Sequence, residues 1–426
     1  MGQQEVQLDP DTQDFKPSTW TVSSNEALKI SIVKPDPEAG AFQFSPELTY
    51  PIFGTDEKIY GYKDLVIHLA FDSITFKPFL NVKFSDKLDI GKVIDGDDIE
   101  VPDIISRMLE FLPIDDCIVS DETKWVDSFT KERAQFELPE ENLKIGEYDY
   151  NDQKYAIYRL KLYSPENSSE TSKWINFLKR IQIFALLYIE AASYIKLETE
   201  PNWELYLLFN TVDKTCIGFT TVYKYFHYTG ANKFDKDPEV HYRARISQFL
   251  VLPPYQHCNH GRSLYNAIAE YWMGDDTIDE FTVEDPNELF DDMRDKGDLQ
   301  RLYRSGFFDS FPERKDPTRG QFLLTDEWMN LNQHKFKLEK RQFGRLVEMI
   351  LLYKNDMANF EEQVKRRIYR QNYETLCDIT DPEEKKNAIN TPYMLVTEDY
   401  RRIVQGFMSK QRGVNNNDSS SSRDSK

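Results

Sequence analysis

The stretch Arg245–Trp272 constrains the fold of this chain most, because it predicts a strand, a tight turn and a helix in immediate succession. Residues 246–252 are almost all β-branched, aromatic or aliphatic, which is typical of a strand buried on both faces. Pro253 and Pro254 end this strand, since neither can donate a ladder hydrogen bond. A helix is expected from about Gly261, where apolar residues begin to recur at helical spacing. That apolar stripe consists of Leu264, Ile268, Tyr271 and Trp272.

The turn Gln256–Gly261 suits a phosphate or pyrophosphate ligand, because a turn at a helix N-terminus directs successive backbone N–H groups into one concavity. It resembles the acetyl-CoA-binding motif of the GNAT acyltransferases, Gln/Arg-x-x-Gly-x-Gly/Ala, which Gln256 and Gly261 match. Asn259 replaces the first glycine of the motif. Asn adopts the left-handed backbone conformation more readily than most residues, so we expect the turn to form. Taken alone, the pattern fits an ordinary strand–turn–helix equally well.

Charge and cysteine content narrow the classes of function. Of the net charge of −20, residues 301–426 contribute +4 (23 Lys and Arg against 19 Asp and Glu), which leaves −24 on residues 1–300. A strongly acidic body disfavours nucleic acid and permits a cationic peptide substrate, although acidity also serves solubility alone. The four cysteines are widely separated and the six histidines form no ligand pair, so we expect no metal and a reducing, intracellular compartment.

No membrane segment is expected. The longest wholly apolar run near the centre of the chain, Ile183–Ile189, is far shorter than the ~20 residues that a membrane span needs.

The pattern of apolar runs predicts an α/β (α+β) fold in three domains and a tail. Alternating runs and turns indicate a mixed α/β N-terminal domain over residues 14–163, closed by a turn-rich segment. Residues 164–304 are predicted to form the acetyl-CoA-binding catalytic domain with a GNAT core. Amphipathic helices indicate a helical C-terminal domain over residues 305–412, and the Asn- and Ser-rich residues 413–426 predict a disordered tail.

The predicted catalytic domain reads as a helix, a hairpin, a strand, the phosphate turn, a helix and a further strand, which is the order of the GNAT core. The first helix is expected over Trp174–Ile195, and the hairpin joins strands at Trp203–Phe209 and Cys216–Tyr228. The last strand is expected at Glu280–Val283.

Acetyl transfer to an amine needs a group that removes a proton, because a lysine ammonium has a pKa of about 10.4. Such a base should lie at the carboxyl end of a strand beside the cofactor. Glu284 ends the last predicted strand, Asp285 follows it, and Pro286 prevents its continuation. From the residues alone, an acidic strand end and helix cap is the favoured interpretation, since such tripeptides are common at strand-to-helix turns.

Segment by segment, the chain resembles the catalytic subunit of the type B histone acetyltransferases in its fungal form. The matching segments run in order from about Phe15 to Tyr353, and beyond Lys354 we identify no comparably specific match. They include Thr49–Gly54, Glu57–Leu65, Ile189–Ile195, Tyr223–Tyr228, Ile246–Leu250, Val283–Glu288 and Glu339–Phe343.

The resemblance implies transfer of acetyl from acetyl-CoA to lysines on the N-terminal tail of newly made histone H4. It makes Glu284 the general base, with Glu190 and Asp285 as carboxylates that share or assist that role. The acetyl-CoA contacts it implies are Phe249, Leu250, Val251, Gln256, His257, Cys258, Asn259, His260, Gly261, Arg262, Asn287 and Lys296. The histone-tail contacts it implies are Lys58, Ile59, Tyr60, Phe226, His227 and Tyr228.

The resemblance also implies a WD40-repeat histone-binding subunit that delivers histone H4 with H3, and a location in both cytoplasm and nucleus. Direct binding to nucleic acid or to a membrane is not expected. Two alternatives remain open: a GNAT enzyme that acetylates small amines or protein N-termini, and a non-catalytic histone escort. Binding of acetyl-CoA separates the escort from both enzymes, and the choice between an H4 tail peptide and polyamines separates the enzymes.

Overall fold

The structure, a computed structural model, describes residues 17–89, 101–163, 169–197, 202–228, 240–312 and 324–421, with Gly230, Ala231 and Asp235 between. Two compact units are present. The first runs up to Tyr223 and includes Ile246–His260; the second comprises Lys224–Arg245 and the chain from Gly261 onward. Among the described residues, no helix is long and apolar enough to cross a membrane. The predicted domain boundaries stay predictions.

The first unit begins with short strands around one five-stranded sheet of order β3-β2-β6-β7-β9. The strands are β1 (Thr21–Ser23), β2 (Leu28–Val33), β3 (Ala41–Phe44), β4 (Lys58–Tyr60), β5 (Tyr62–Lys63), β6 (Val66–Asp72), β7 (Pro78–Lys83), β8 (Asp86–Lys87) and β9 (Ile118–Val119). The helices of this part are α1 (Ser24–Ala27), α2 (Tyr50–Phe53), α3 (Ile104–Leu109) and α4 (Glu122–Gln135). β1 pairs with β4, and β5 with β8.

The first five strands of a second, six-stranded sheet have the order β10-β11-β12-β13-β14, and most of their residues lie in the first unit. These strands are β10 (Lys144–Tyr150), β11 (Gln153–Lys161), β12 (Trp203–Asn210), β13 (Cys216–Phe226) and β14 (Tyr242–Val251). β12 and β13 pair antiparallel, which confirms the predicted hairpin. β11, predicted in the N-terminal domain, pairs with β12 of the predicted catalytic domain.

Two helices, α5 (Ser169–Ile181) and α6 (Ile183–Tyr188), join the sheets of the first unit into one core. The ring of Phe184 on α6 lies 4.9 Å from that of Phe71 on β6, and Phe177 on α5 lies 6.0 Å from Phe209 on β12. The predicted single helix to Ile195 is wrong, because it divides after α5 and ends at Tyr188. Ala191 adopts a left-handed φ of 57° and donates its N–H to the Tyr50 hydroxyl at 2.7 Å, so it cannot continue a helix.

The second unit contains the ends of β13 and β14, the strand β15 (Ile278–Val283) and a set of helices. Its helices are α7 (His260–Met273), α8 (Glu288–Arg304), α9 (Asp326–Lys335), α10 (Lys340–Tyr353), α11 (Met357–Gln371), α12 (Tyr373–Asp378) and α13 (Pro382–Ser421). The helical C-terminal region is therefore as predicted. The structure has helix through Ser421, so the disorder predicted from residue 413 is not observed up to that residue, and residues 422–426 lie outside the described part.

Candidate active site

The turn between β14 and α7 has the conformation that its sequence predicts. β14 ends at Val251, a short 3₁₀ turn spans Pro253–Tyr255, and α7 begins at His260. Asn259 has a φ of 64°, so it takes the left-handed conformation that glycine would otherwise supply. His257 is also left-handed, with a φ of 60°. The turn thus forms without the first glycine of the motif.

Side chains of the first unit hold this turn in place. Gln256 donates from Nε2 to the Val251 carbonyl at 2.9 Å, which closes the turn back onto its own strand. His260 is 3% exposed, and its Nδ1 shares a 2.6 Å hydrogen bond with the Tyr148 hydroxyl. The rings of Tyr150 and Tyr155 also contact the imidazole, and burial lowers the pKa of His260. The buried His260 side chain is thus an anchor for the start of α7.

β14 differs from its prediction, since only one of its faces is buried. From Ile246 to Val251 buried and half-buried residues alternate, so Leu250 is buried while Phe249 and Val251 are half-exposed. The apolar run predicted burial on both faces because hydrophobicity alone does not report whether a second layer covers the strand. The half-exposed face leaves side chains of the proposed cofactor strand accessible.

Gly218 on β13 brings the backbone of β14 unusually close. A Cβ at Gly218 would lie 2.5 Å from the Leu250 carbonyl oxygen and 3.0 Å from the Val251 Cα. Only glycine permits this approach, and it sets the position of two of the three β14 residues predicted to bind acetyl-CoA. The prediction from sequence omitted Gly218, although an isolated glycine inside a strand pattern is a known signal of close backbone approach.

Two arginines of the second unit lie near each other at the start of α7. Arg262 is half-buried, and both burial and the neighbouring charge of Arg304 lower its pKa. A pair of like charges at a helix N-terminus is stabilised by an anion, so this position suits a phosphate group. Sequence reasoning identified Arg262 and missed Arg304, which lies 42 positions further along the chain.

The other predicted cofactor residues have partners of their own. The half-buried Cys258 hydrogen-bonds the hydroxyl of Tyr150. Asn287 is the N-cap of α8, where its Oδ1 accepts from the Phe290 N–H at 2.9 Å. Lys296 pairs with Asp292 at 3.2 Å, one turn earlier on the same helix. In this state the Lys296 ammonium is directed along α8.

The predicted acids occupy exposed or half-exposed positions. Glu284 follows the last residue of β15, its side chain is 38% exposed, and its Oε1 lies 3.6 Å from Nη2 of Arg245. Asp285 is exposed with a left-handed φ of 36°. Glu190 is exposed in the turn after α6, in the first unit, whereas Glu284 and Asp285 belong to the second.

The residues predicted to contact a histone tail divide into exposed and buried side chains. Lys58 and Tyr60 on β4 are exposed, and Ile59 between them is buried at 2%. Phe226 and Tyr228 in the second unit are 52% and 58% exposed, so neither packs in a core.

His227, which lies between these two aromatic residues, is held by an acid that the sequence did not indicate. Its Nδ1 lies 2.7 Å from Asp279 Oδ2, and the other carboxylate oxygen lies 3.0 Å from His241 Nδ1. Asp279 thereby orients both imidazoles in the second unit.

No group of three or more His, Cys, Asp or Glu side chains in the described ranges is placed to hold a metal ion. Two features of the first unit suit an acyl-CoA: a left-handed turn before a helix N-terminus and a half-exposed strand face.

Comparisons with known proteins agree with this reading. The family model for the N-terminus of histone acetyl transferase HAT1 matches residues 20–190, and the model for the C-terminal region of fungal HAT1 matches residues 295–356. Three curated relatives are named histone acetyltransferase type B catalytic subunit. They come from Kluyveromyces lactis (45% identical, covering 94% of this chain and 95% of the relative), Candida glabrata (47%, 92% and 94%) and Eremothecium gossypii (43%, 94% and 95%).

Two solved structures of acetyltransferases also match part of the chain. One is an aminoglycoside acetyltransferase, meta-AAC0020 (TM-score 0.21, 14% identity, 39% of this chain and 93% of that one). The other is the acetyltransferase domain of xEco2 bound to a CoA conjugate (TM-score 0.23, 14% identity, 35% and 86%). At these TM-scores neither carries an argument about this chain.

The fold and the curated relatives define an acetyltransferase with a mixed α/β core and a helical C-terminal region, as predicted. The chain belongs to the family of type B histone acetyltransferase catalytic subunits, which confirms the resemblance inferred from its segments. Since the relatives cover up to 94% of the chain, the family likeness extends beyond Lys354.

Proposed function

We propose that the protein transfers acetyl from acetyl-CoA to lysines on the N-terminal tail of newly synthesised histone H4, by direct attack of the substrate amine on the thioester with Glu284 as the general base. The observation that carries the proposal is the position of Glu284. It stands at the carboxyl end of β15 with a partly exposed carboxylate and a guanidinium counter-charge, Arg245, at 3.6 Å. A general base must be able to reach its substrate, and the partly exposed carboxylate of Glu284 meets this need.

Acetyl-CoA supplies the acetyl thioester, and the chain supplies its binding groups. Backbone N–H groups at the start of α7, with Arg262 and Arg304, would hold the pyrophosphate. The backbone of β14 at residues 249–251 would hydrogen-bond the pantetheine arm, next to the close approach at Gly218. Holding the thioester in one orientation converts acetyl transfer into an effectively unimolecular step.

Proton removal at the substrate lysine is the task assigned to Glu284. Loss of one proton from the lysine ammonium to the general base frees the nitrogen lone pair, which bonds to the acetyl carbon. The thioester C–S bond then breaks, and the second proton of the nitrogen goes to the leaving thiolate. Asp285 is the adjacent acid on the same strand end, and Glu190 is the third candidate, so both are assigned an assisting role. The assignment of the general base to Glu284 rests on its strand-end position.

Binding of a basic tail fits the charge and the exposed aromatic residues. The charge of −24 on residues 1–300 attracts a lysine- and arginine-rich peptide at long range. In the second unit, Phe226 and Tyr228 offer exposed rings for its aliphatic stems and ammonium groups, and His227 offers an oriented imidazole. Tyr60 offers an exposed ring in the first unit. Within this proposal, a WD40-repeat histone-binding subunit delivers histone H4 with H3, and the complex works in cytoplasm and nucleus.

The experiment that tests the general base is acetyl transfer to an unmodified H4 tail peptide by the protein and its Glu284→Gln variant across pH. We expect turnover to fall by about 100-fold or more with acetyl-CoA affinity nearly unchanged, as for loss of a general base. Glu288→Gln is the matched control, because Glu288 is an exposed acid four residues away on α8. It should keep wild-type turnover.

Equal turnover of the protein and Glu284→Gln would show that Glu284 is not the general base. The turnover of Asp285→Asn and Glu190→Gln would then be measured next. Transfer to polyamines in preference to the H4 peptide would refute the substrate assignment while leaving the base assignment intact. Binding of acetyl-CoA without transfer to any acceptor would instead favour the histone escort.

A further inference from the structure

A polar pocket of about 250 Å³ lies in the second unit, where the end of β15 meets α8 and the start of α10. Three arginines line it: Arg294 on α8, and Arg341 and Arg345 on α10. The strand-end residues that line it are Thr282, Val283 and Pro286. No part of the proposed acetyl transfer uses these arginines.

Arg294 is buried with donors that lack acceptors. The residue is 4% exposed, and its Nε and Nη2 have no hydrogen-bond partner. The Asp298 carboxylate stands 3.9 Å from Nε, beyond hydrogen-bond distance. An unsatisfied buried donor is destabilising, and more so on a charged group, so a buried guanidinium that faces a pocket calls for an acceptor inside it.

The buried carboxylates nearby are already engaged by other groups. Asp298 accepts from the Tyr265 hydroxyl and from Arg301 Nη2, each at 2.8 Å, and from Gln342 Nε2 at 2.9 Å. Asp295 accepts from Arg345 Nη2 at 2.6 Å and from the same Gln342 amide at 2.9 Å. Arg301 and Arg345 therefore hydrogen-bond these two carboxylates, whereas the Nε and Nη2 atoms of Arg294 do not.

The rim of the pocket adds further donors. Arg345 Nε is buried without an acceptor, like the two nitrogens of Arg294. Arg341 has a 61% exposed side chain and comes no closer than 4.0 Å to Asp291 in its recorded ion pair. Glu339, the other acid on the rim, caps α10 by accepting from the Arg341 and Gln342 N–H groups at 2.7 and 3.1 Å. The Glu339 carboxylate is therefore already hydrogen-bonded at the N-terminus of α10.

We propose that this pocket binds a small tetrahedral oxyanion, inorganic phosphate or a phosphate group on a small molecule. Such an anion offers charged acceptor oxygens, which would pair with the Arg294 nitrogens that have no hydrogen-bond partner. Its several acceptor oxygens match donors converging from Arg294, Arg341 and Arg345. Because Thr282, Val283 and Pro286 flank the Glu284-Asp285 pair, a bound anion also braces the strand end that carries the proposed base.

The test is binding of inorganic phosphate to the full-length protein, measured by calorimetry and by the shift in Tm, against chloride at equal ionic strength. We expect phosphate to bind once and to raise the Tm. Arg294→Met keeps the length of the side chain without its donors and should abolish binding. Arg341→Gln should weaken binding by about five- to tenfold, the scale of one partly exposed charge-assisted contact. Arg401→Gln is the control, because Arg401 is exposed on α13 outside the pocket, and it should bind as the wild type does.

Phosphate affinity that is unchanged in Arg341→Gln would overturn the proposal, and this variant decides the matter if Arg294→Met does not fold. A response no larger than that to chloride would overturn it as well. Repeating the titration with saturating acetyl-CoA identifies the site: retained binding supports a separate pocket, and lost binding assigns the phosphate to the coenzyme site and refutes it. None of these outcomes depends on acetyl transfer or on the identity of its substrate.

Discussion

Replacing Gly218 by alanine should displace β14, the strand whose backbone is proposed to bind acetyl-CoA. The new Cβ would lie 2.5 Å from the Leu250 carbonyl oxygen and 3.0 Å from the Val251 Cα. Both atoms belong to backbone, so no side-chain rotation relieves the clash. β14 must move away from β13 by about half an ångström or more, at the two residues proposed to bind the pantetheine arm.

The expected change in the free energy of unfolding is the sum of two opposing effects. Overpacking a buried site destabilises a protein by about 1–3 kcal/mol. Alanine is favoured over glycine within a strand by roughly 0.5–1 kcal/mol, which offsets part of this. We therefore expect Gly218→Ala to lower the free energy of unfolding by about 1–2 kcal/mol. A displacement of the β14 backbone that weakens acetyl-CoA binding by about 1 kcal/mol would raise its Kd about fivefold.

Urea unfolding and calorimetric titration with acetyl-CoA measure the two effects separately. Gly344→Ala is the control, since Gly344 lies within α10 with no atom within 4 Å of the added Cβ, and it should be stabilising by up to about 1 kcal/mol. If Gly218→Ala unfolds at the wild-type urea concentration and binds acetyl-CoA with the wild-type Kd, the prediction is wrong. The close approach of β13 and β14 would then matter neither for stability nor for acetyl-CoA binding.

Two further predictions concern buried polar groups. Arg367→Ala should lower the free energy of unfolding by about 3–5 kcal/mol, because it strips Glu348, which is 0% exposed, of a two-point ion pair at 2.8 and 2.9 Å. The double change Arg367→Met with Glu348→Met should recover most of this loss in urea unfolding, and a loss below about 1 kcal/mol in the single variant would contradict the argument. Burial lowers the pKa of His260 below its usual 6.5, so the unfolded chain binds the extra proton first and the His260 contribution to stability declines as pH falls below about 6.5. The difference in unfolding free energy between the protein and His260→Asn should therefore shrink from pH 7.5 to pH 5.5, and a constant difference would show that His260 titrates alike in both states.

Local features of the candidate site could be predicted from sequence because they depend on neighbouring residues. The order strand, turn, helix was evident from the apolar run, the two prolines and the helical spacing after Gly261. The left-handed conformation of Asn259 followed from the steric tolerance of that residue type. The extent of the helix after Trp174 was wrong, because a tertiary hydrogen bond between Ala191 and Tyr50 ends the regular structure earlier than the apolar pattern does.

The groups that the sequence did not reveal are those assembled from distant positions. Tyr148 anchors His260 across 112 residues, and Asp279 joins His227 across 52. The order of the strands decides these pairs, and no local pattern encodes it.

The amino-acid sequence by itself determined the local conformation of the cofactor turn, the position of Glu284 at a strand end and membership of an acetyltransferase family. Periodicity, proline and glycine sterics, and shared segments are properties of short stretches of chain, so they survive without knowledge of the fold. Only the tertiary structure decided which face of β14 is open, why Gly218 must be glycine, and that three arginines surround one pocket. These depend on packing between elements far apart in sequence, where burial leaves a polar group either satisfied or in need of a ligand.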